Sequence, residues 1–185
     1  MRFVKFTLLG LVGITLAFLS LGFFHTNFQY ENQIEINSSV AESYATFLND
    51  SLKSEWLVGY VGNEILSGVA LTPGHRVLMT FEQNGQAFEM IEELKGIKEN
   101  EKFIFDMETE LLTGTIEIYF EGNDEKTTMK VYSTMTGSNI FYRSMFYLLK
   151  SGLQKQSQMN YDLLKKVIEE NRLQVENKLS AVRFQ

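Results

Sequence analysis

The stretch QIEINSSVAESYATFLND, residues 33–50, changes its hydrophobic period partway along. Ile34 and Ile36 alternate with polar neighbours, the period of a half-buried strand. Val40, Tyr44 and Phe47 then recur at helical spacing. Between the two patterns stands Ser39, with Glu42 three residues later. A hydroxyl that accepts from the first turn and a carboxylate that reaches back form a capping box. A strand over Tyr30 to Asn37 is therefore expected to hand over directly to a helix, only a few residues beyond a long apolar segment.

That segment, Phe6 to Phe24, reads FTLLGLVGITLAFLSLGFF, 19 residues without a charge. At about 1.5 Å per residue it matches the hydrocarbon core of a bilayer. Arg2 and Lys5 precede it and no basic residue follows until Lys53, so the positive-inside rule puts the N-terminus in the cytoplasm and the remainder outside. The expected location is the cell membrane, crossed once, with an exoplasmic domain, periplasmic or extracellular. A cleaved signal peptide is the competing reading, with Ser20-Leu21-Gly22 as the cut. Against it, Phe23 and Phe24 continue the apolar run and no polar region precedes the cut.

Arg2 and Lys5 are the only charges before Glu31. Of 17 basic and 23 acidic side chains, all but those two basic ones belong to the rest of the chain, whose net charge is −8. Phosphate backbones need Lys and Arg to displace counterions, so no nucleic-acid partner is expected. The sequence has no cysteine, which removes disulfides, thiolate metal sites and a cysteine nucleophile together. A composition 44% hydrophobic and 13% aromatic with one Pro buries a core rather than staying disordered.

Leu52 to Leu57 carries the only Trp, Trp56, on a second short helix, and Val58 to Leu66 reads as strand. Leu71-Thr72-Pro73-Gly74 is a turn and Asn84-Gly85 a hairpin signal, since both of those residues tolerate positive φ. Val77, Met79 and Phe81 share one face of a strand, and Phe88 and Met90 share one on its return partner. Phe103, Phe105 and Met107, then Ile116, Ile118 and Phe120, then Met129 and Val131, continue an antiparallel meander. From about Ser138 to Asn171 the period turns helical, with Phe141, Met145, Leu148, Leu149, Met159, Leu163 and Val167 on one broad face. The expected class is α+β: a curved antiparallel sheet, two short helices and a long C-terminal helix, preceded by one transmembrane helix.

This order of elements resembles the START-like, or SRPBCC, superfamily with its helix-grip (Bet v 1-like) fold, whose members include polyketide cyclases and lipid-transfer proteins. The resemblance rests on IEINSSVAESYATF, on LTPGHRVLMTFEQNGQAFEMIEEL and on the closing YDLLKKVIEEN. Ser38-Ser39 stands where members often have Pro, and the N-terminal anchor is an addition to the core domain. The expected organisation is an anchor or uncleaved signal at 1–25, a polar tether at 26–33, a helix-grip domain over 28–171 and a polar tail at 172–185. The resemblance implies a cavity for a lipid or other hydrophobic small molecule. Its lining is expected from Trp56, Met79, Phe81, Phe88, Met90 and Phe105, joined by Ile118, Met129, Met145 and Leu149. Ser133 and Gln156 are polar residues expected on internal faces.

No catalytic or metal-binding motif is present, and neither cofactor nor metal is expected. Two residues are candidates for acid–base work. Glu92 continues the Phe88–Met90 alternation, so it points inward unless a bulge turns it to water. His75 follows the Pro-Gly turn, a place where most histidines face solvent. Three functions are compatible with these residues: a non-catalytic anchored binder, a cyclase- or hydrolase-like enzyme using Glu92 or His75, and an interaction module for a protein partner of unknown identity.

Overall fold

The computed structural model describes residues 2–183. Helix α1 (Arg2–Phe24) is followed after two residues by strand β1 (Asn27–Ile36), then helix α2 (Val40–Leu48), a 3-10 turn (Asp50–Leu52) and helix α3 (Lys53–Trp56). Six strands follow: β2 (Tyr60–Ser67), β3 (Arg76–Gln83), β4 (Gln86–Lys98), β5 (Lys102–Glu108), β6 (Leu112–Gly122) and β7 (Thr127–Gly137). Helix α4 (Ile140–Arg183) closes the chain. The seven strands form one antiparallel sheet in the order β1-β7-β6-β5-β4-β3-β2, so β1 and β2 are its two edges. With α4 laid across the concave face, this is the α+β helix-grip arrangement.

The opening stretch folds as its residues dictate. Phe28, Tyr30, Asn32, Ile34 and Ile36 are buried in strict alternation along β1. Ser39 caps α2, its Oγ accepting from Glu42 N at 3.2 Å, while the Glu42 carboxylate accepts from Ser38 Oγ at 2.6 Å and Ser39 Oγ at 3.1 Å. These hydroxyl bonds, that from Ser38 foremost, hold the Glu42 carboxyl below its ordinary pKa. The Asn84-Gly85 hairpin has both residues at positive φ, 54° and 75°, as a type I′ turn requires.

Two spans differ from expectation. The polar segment 26–33 is not a loose link: β1 begins at Asn27, because Phe28 and Tyr30 face inward and the strand pairs with β7 along its whole length. The helix expected over 138–171 instead runs on to Arg183, and Phe184 and Gln185 of the expected tail lie outside the described residues.

The core is uneven. Around α2 and α3 it is solid: Phe47 stands 5.8 Å from the Trp56 ring, 5.5 Å from Phe103 and 5.7 Å from Phe120. Leu164 and Ile168 of α4 close that end. A second cluster, Phe28, Tyr30, Met135 and Phe146, packs the start of α4 onto β1 and β7. Because α4 lies chiefly on those two strands, the concave faces of β3 to β5 are not filled by it. Register shifts in β4 between Leu94 and Gly96, and in β2, bend the far half of the sheet.

Helix α1 projects from the domain. Its segment Phe3–Phe24, 22 residues with mean hydropathy 2.1, is long and apolar enough to cross a membrane. Its last turn packs on α4, where Gly22 N donates to Ser144 Oγ at 2.9 Å.

Candidate functional site

The space under α4 is a cavity of about 490 Å³, within the ~300–1,000 Å³ typical of small-molecule sites. One wall is sheet: Val77, Met79 and Phe81 of β3; Phe88, Met90 and Leu94 of β4; Phe103, Phe105 and Met107 of β5. Leu153, Ser157, Asn160 and Tyr161 of α4 form the roof, and Phe47, Trp56 and Leu57 close one side. Period-two alternation supplies the sheet wall, since every second residue of three neighbouring strands reaches the same space.

Polar groups converge on this apolar chamber. Glu92 lies directly across from Val77 on the inner face of β4, and His75, the residue just before β3, stands two residues ahead of Val77 and borders the same cavity. The two are therefore diagonal neighbours across the strand pair, a relation that brings long side chains within reach of each other. Lys53 and Asp50, joined at 2.7 Å, line the cavity as well. Among the described residues the Glu92 carboxylate has no hydrogen bond or ion pair, and His75 Nδ1 is buried without a partner. Burial pushes the Glu92 pKa up, the Asp50 charge adds to that, and Lys53 and His75 oppose it. Tyr161 is buried more deeply, which pushes its phenol up too.

Glu92 thus keeps its proton to higher pH in the folded protein than in the unfolded chain. Below the unfolded-state pKa both states hold the proton and Glu92 costs nothing. As pH rises past that value the unfolded chain ionises first, and stability is withdrawn until the raised folded value is reached. Glu92→Gln is therefore expected to raise the Tm of the ligand-free protein at about pH 8 and leave it unchanged at about pH 4. Thermal unfolding across that range measures it.

The structure brings most of the expected lining together. Trp56, Met79, Phe81, Phe88, Met90, Phe105 and Ile118 border the cavity, with Glu92 and His75. Gln156 borders it from an exposed position at the rim. Four residues do not line it. Met129 is fully buried in the solid end of the core, and Ser133 is buried on β7 in the part of the sheet that α4 covers. Met145 packs against the Phe28–Phe146 cluster. Leu149 faces outward, 52% exposed. The charged pair Asp50–Lys53 went unread in the sequence. Its signal is spacing: Lys53 lies three residues before Trp56, on the face of α3 that a buried Trp must turn inward.

No protein-family model matches the chain, and no curated protein does. Solved structures match in fold. Ara h 8.0201 superposes with a TM-score of 0.63 at 14% identity, covering 77% of this chain and 97% of that one. The Zhui aromatase/cyclase from Streptomyces sp. R1128 gives 0.64 at 8%, covering 77% and 94%. SA2116 from Staphylococcus aureus, a protein of unknown function, gives 0.62 at 17%, covering 80% and 98%. At such identities the likeness is one of fold.

Proposed function

We propose that this protein is a membrane-anchored domain, displayed outside the cytoplasm, that holds a lipid or other hydrophobic small molecule beneath α4 without transforming it. One observation carries the reading: an apolar cavity of about 490 Å³ walled by Met, Phe and Trp, into which a single unpartnered carboxylate, Glu92, is set. Apolar walls supply affinity and a lone polar group orients the ligand's polar end. The half-buried methionines Met90 and Met107 suit a chamber that adapts to a flexible chain. Anchoring is supported by the length and composition of α1 and by the basic residues Arg2 and Lys5 at its start. It is supported too by the packing of the Ser20-Leu21-Gly22 segment against the folded domain, since a cleaved signal has no need of such a contact.

Native mass spectrometry of the full chain released from its own membranes tests this. The expected result is a co-purified lipid or other small apolar molecule, lost in Met90→Trp, which fills cavity space with an intact fold by circular dichroism. A full chain carrying nothing, whose Trp56 emission does not move on addition of lipid or an apolar probe, overturns it.

A second reading has its own support. Glu92 and His75 both border the cavity as neighbours, the arrangement acid–base catalysis needs, and the Zhui match is named an aromatase/cyclase. A bound molecule recovered chemically altered, with the change lost in Glu92→Gln, favours this enzyme reading.

A further inference from the structure

The first three turns of α4 are apolar on the wrong side for a core. Ile140 to Leu149 reads IFYRSMFYLL, with Arg143 as its one charge and Lys150 directly after it. Phe146 and Ser144 turn inward, whereas Ile140, Phe141, Leu148 and Leu149 are between 41% and 58% exposed. A helix in water does not present such a run without something to cover it.

What covers it follows from where α1 touches it. The Phe18 and Phe141 rings meet edge to face at 5.4 Å, and His25 stacks on Tyr147 at 4.1 Å. Gly22 lies so close to α4 that a Cβ there would come within 2.2 Å of the Ile140 carbonyl oxygen. The start of α4 is thus fixed beside residues 18–25. Phe18 lies six residues inside the apolar helix, about 9 Å from its end at 1.5 Å per residue. A span that crosses a bilayer therefore carries the beginning of α4 down with it.

We infer that Ile140 to Leu149 lies in the membrane interface of the leaflet where α1 ends, with Phe141, Leu148 and Leu149 against lipid. The occupant of this face is the bilayer, and the inference rests on the anchored reading of α1. The polar residues of the segment suit that depth. Tyr142 and Tyr147 are amphipathic rings of the kind enriched at headgroup level, and Arg143 and Lys150 are long cations that reach from apolar surroundings to water. An amphipathic helix seated this way buries its apolar face about 5–10 Å into the headgroup boundary, the depth the Phe18–Phe141 contact sets. The domain is then docked flat on the membrane. Leu153 and Ser157, one and two turns beyond Leu149, roof the cavity, so the ligand chamber begins where the lipid contact ends.

The test uses the full chain with Trp56→Phe, which removes the only native tryptophan, and single tryptophans restored one at a time. Phe141→Trp and Leu149→Trp probe α4 at exposed positions that do not disturb the core. Leu11→Trp probes the middle of α1, and Tyr132→Trp reports the outer face of the sheet. In phosphatidylcholine vesicles with brominated acyl chains, the Phe141, Leu149 and Leu11 variants are expected to lose more than half their emission relative to unbrominated vesicles, and the Tyr132 variant none. If Leu11→Trp is quenched while both α4 reporters behave like Tyr132→Trp, the docking inference fails and the anchor stands. Unquenched α4 reporters together with an oxidised, disulfide-linked dimer of a Leu149→Cys chain in the same vesicles would show a second copy on this face and likewise overturn the docking inference. If Leu11→Trp is unquenched, the anchored reading fails and this inference with it.

Discussion

Trp56→Ala is expected to remove about 3–5 kcal/mol of stability, the range for deleting a buried aromatic side chain. Trp56 is 4% exposed and its ring stands beside Phe47, which in turn contacts Phe103 and Phe120. The indole is therefore one member of an aromatic chain that joins the short helices to β5 and β6. It is also part of the cavity wall, so its loss merges the vacated volume with space already present and leaves the neighbours nothing to collapse onto. Two measurements separate these roles. Chemical denaturation reads the stability loss. Trp56→Phe is expected to fall well short of it, since it keeps an aromatic ring in place and removes an Nε1–H that is buried without a partner. Retention of bound apolar ligand should fall in Trp56→Ala even at temperatures where the fold persists.

Gly22→Leu is the second large effect. A Cβ at this position meets the Ile140 carbonyl oxygen at 2.2 Å, Ser144 Oγ at 2.6 Å and Ser144 N at 2.7 Å. Two of the three are backbone atoms of a helix, which cannot swing aside as a side-chain tip can. The helices must separate, breaking the Gly22 N–Ser144 Oγ hydrogen bond at a site where Ser144 is fully buried. Overpacking of this kind costs about 1–3 kcal/mol. Small residues at a close helix contact are the usual device for letting backbones approach inside or beside a membrane. The sequence has no cysteine, so a Phe18→Cys, Phe141→Cys pair gives a clean readout. Disulfide formation between them is expected to be efficient with Gly22 and largely lost with leucine in its place. Equal cross-linking in both would show that the contact tolerates the extra bulk.

The parts of this fold legible in the sequence are those governed by near neighbours. The Ser39–Glu42 cap and the Asn84-Gly85 turn depend on residues within a few positions of each other, and both formed as read. The placing of Glu92 depended on where β4 bulges. The register shift falls at Leu94/Gly96, after Glu92, so the alternation that began at Phe88 still holds there and the carboxylate faces in. Periodicity distinguishes inside from outside, but not filled from hollow. Met129 and Ser133 point to the same side of the sheet as Met79 and Phe105, yet the crossing angle of α4 puts the first pair under the helix and leaves the second pair facing open space. That angle is set by contacts among residues a hundred positions apart. Met145 and Leu149 share an apolar helical period with residues farther along α4, but Met145 packs on the Phe28–Phe146 cluster and Leu149 faces outward, so the period does not lead either to the cavity. The stretch 26–33 looked like a tether because the outward residues of β1, Gln29, Glu31 and Gln33, are polar, as those of an edge strand should be.

The pairing of β1 with β7 has a consequence for the order in which the molecule can be made. β1 emerges immediately behind α1, while its partner strand is synthesised roughly a hundred residues later, and the α4 surface that receives Gly22 later still. Contacts so distant along the chain close slowly, because the entropy of the intervening loop must be spent before they return anything. Throughout that interval β1 has no strand to pair with, and a chain halted before Thr127 cannot supply one. The sheet can add β2 to β6 by local pairings as they appear, but β1 joins it only when β7, in the last third of the polypeptide, has been made.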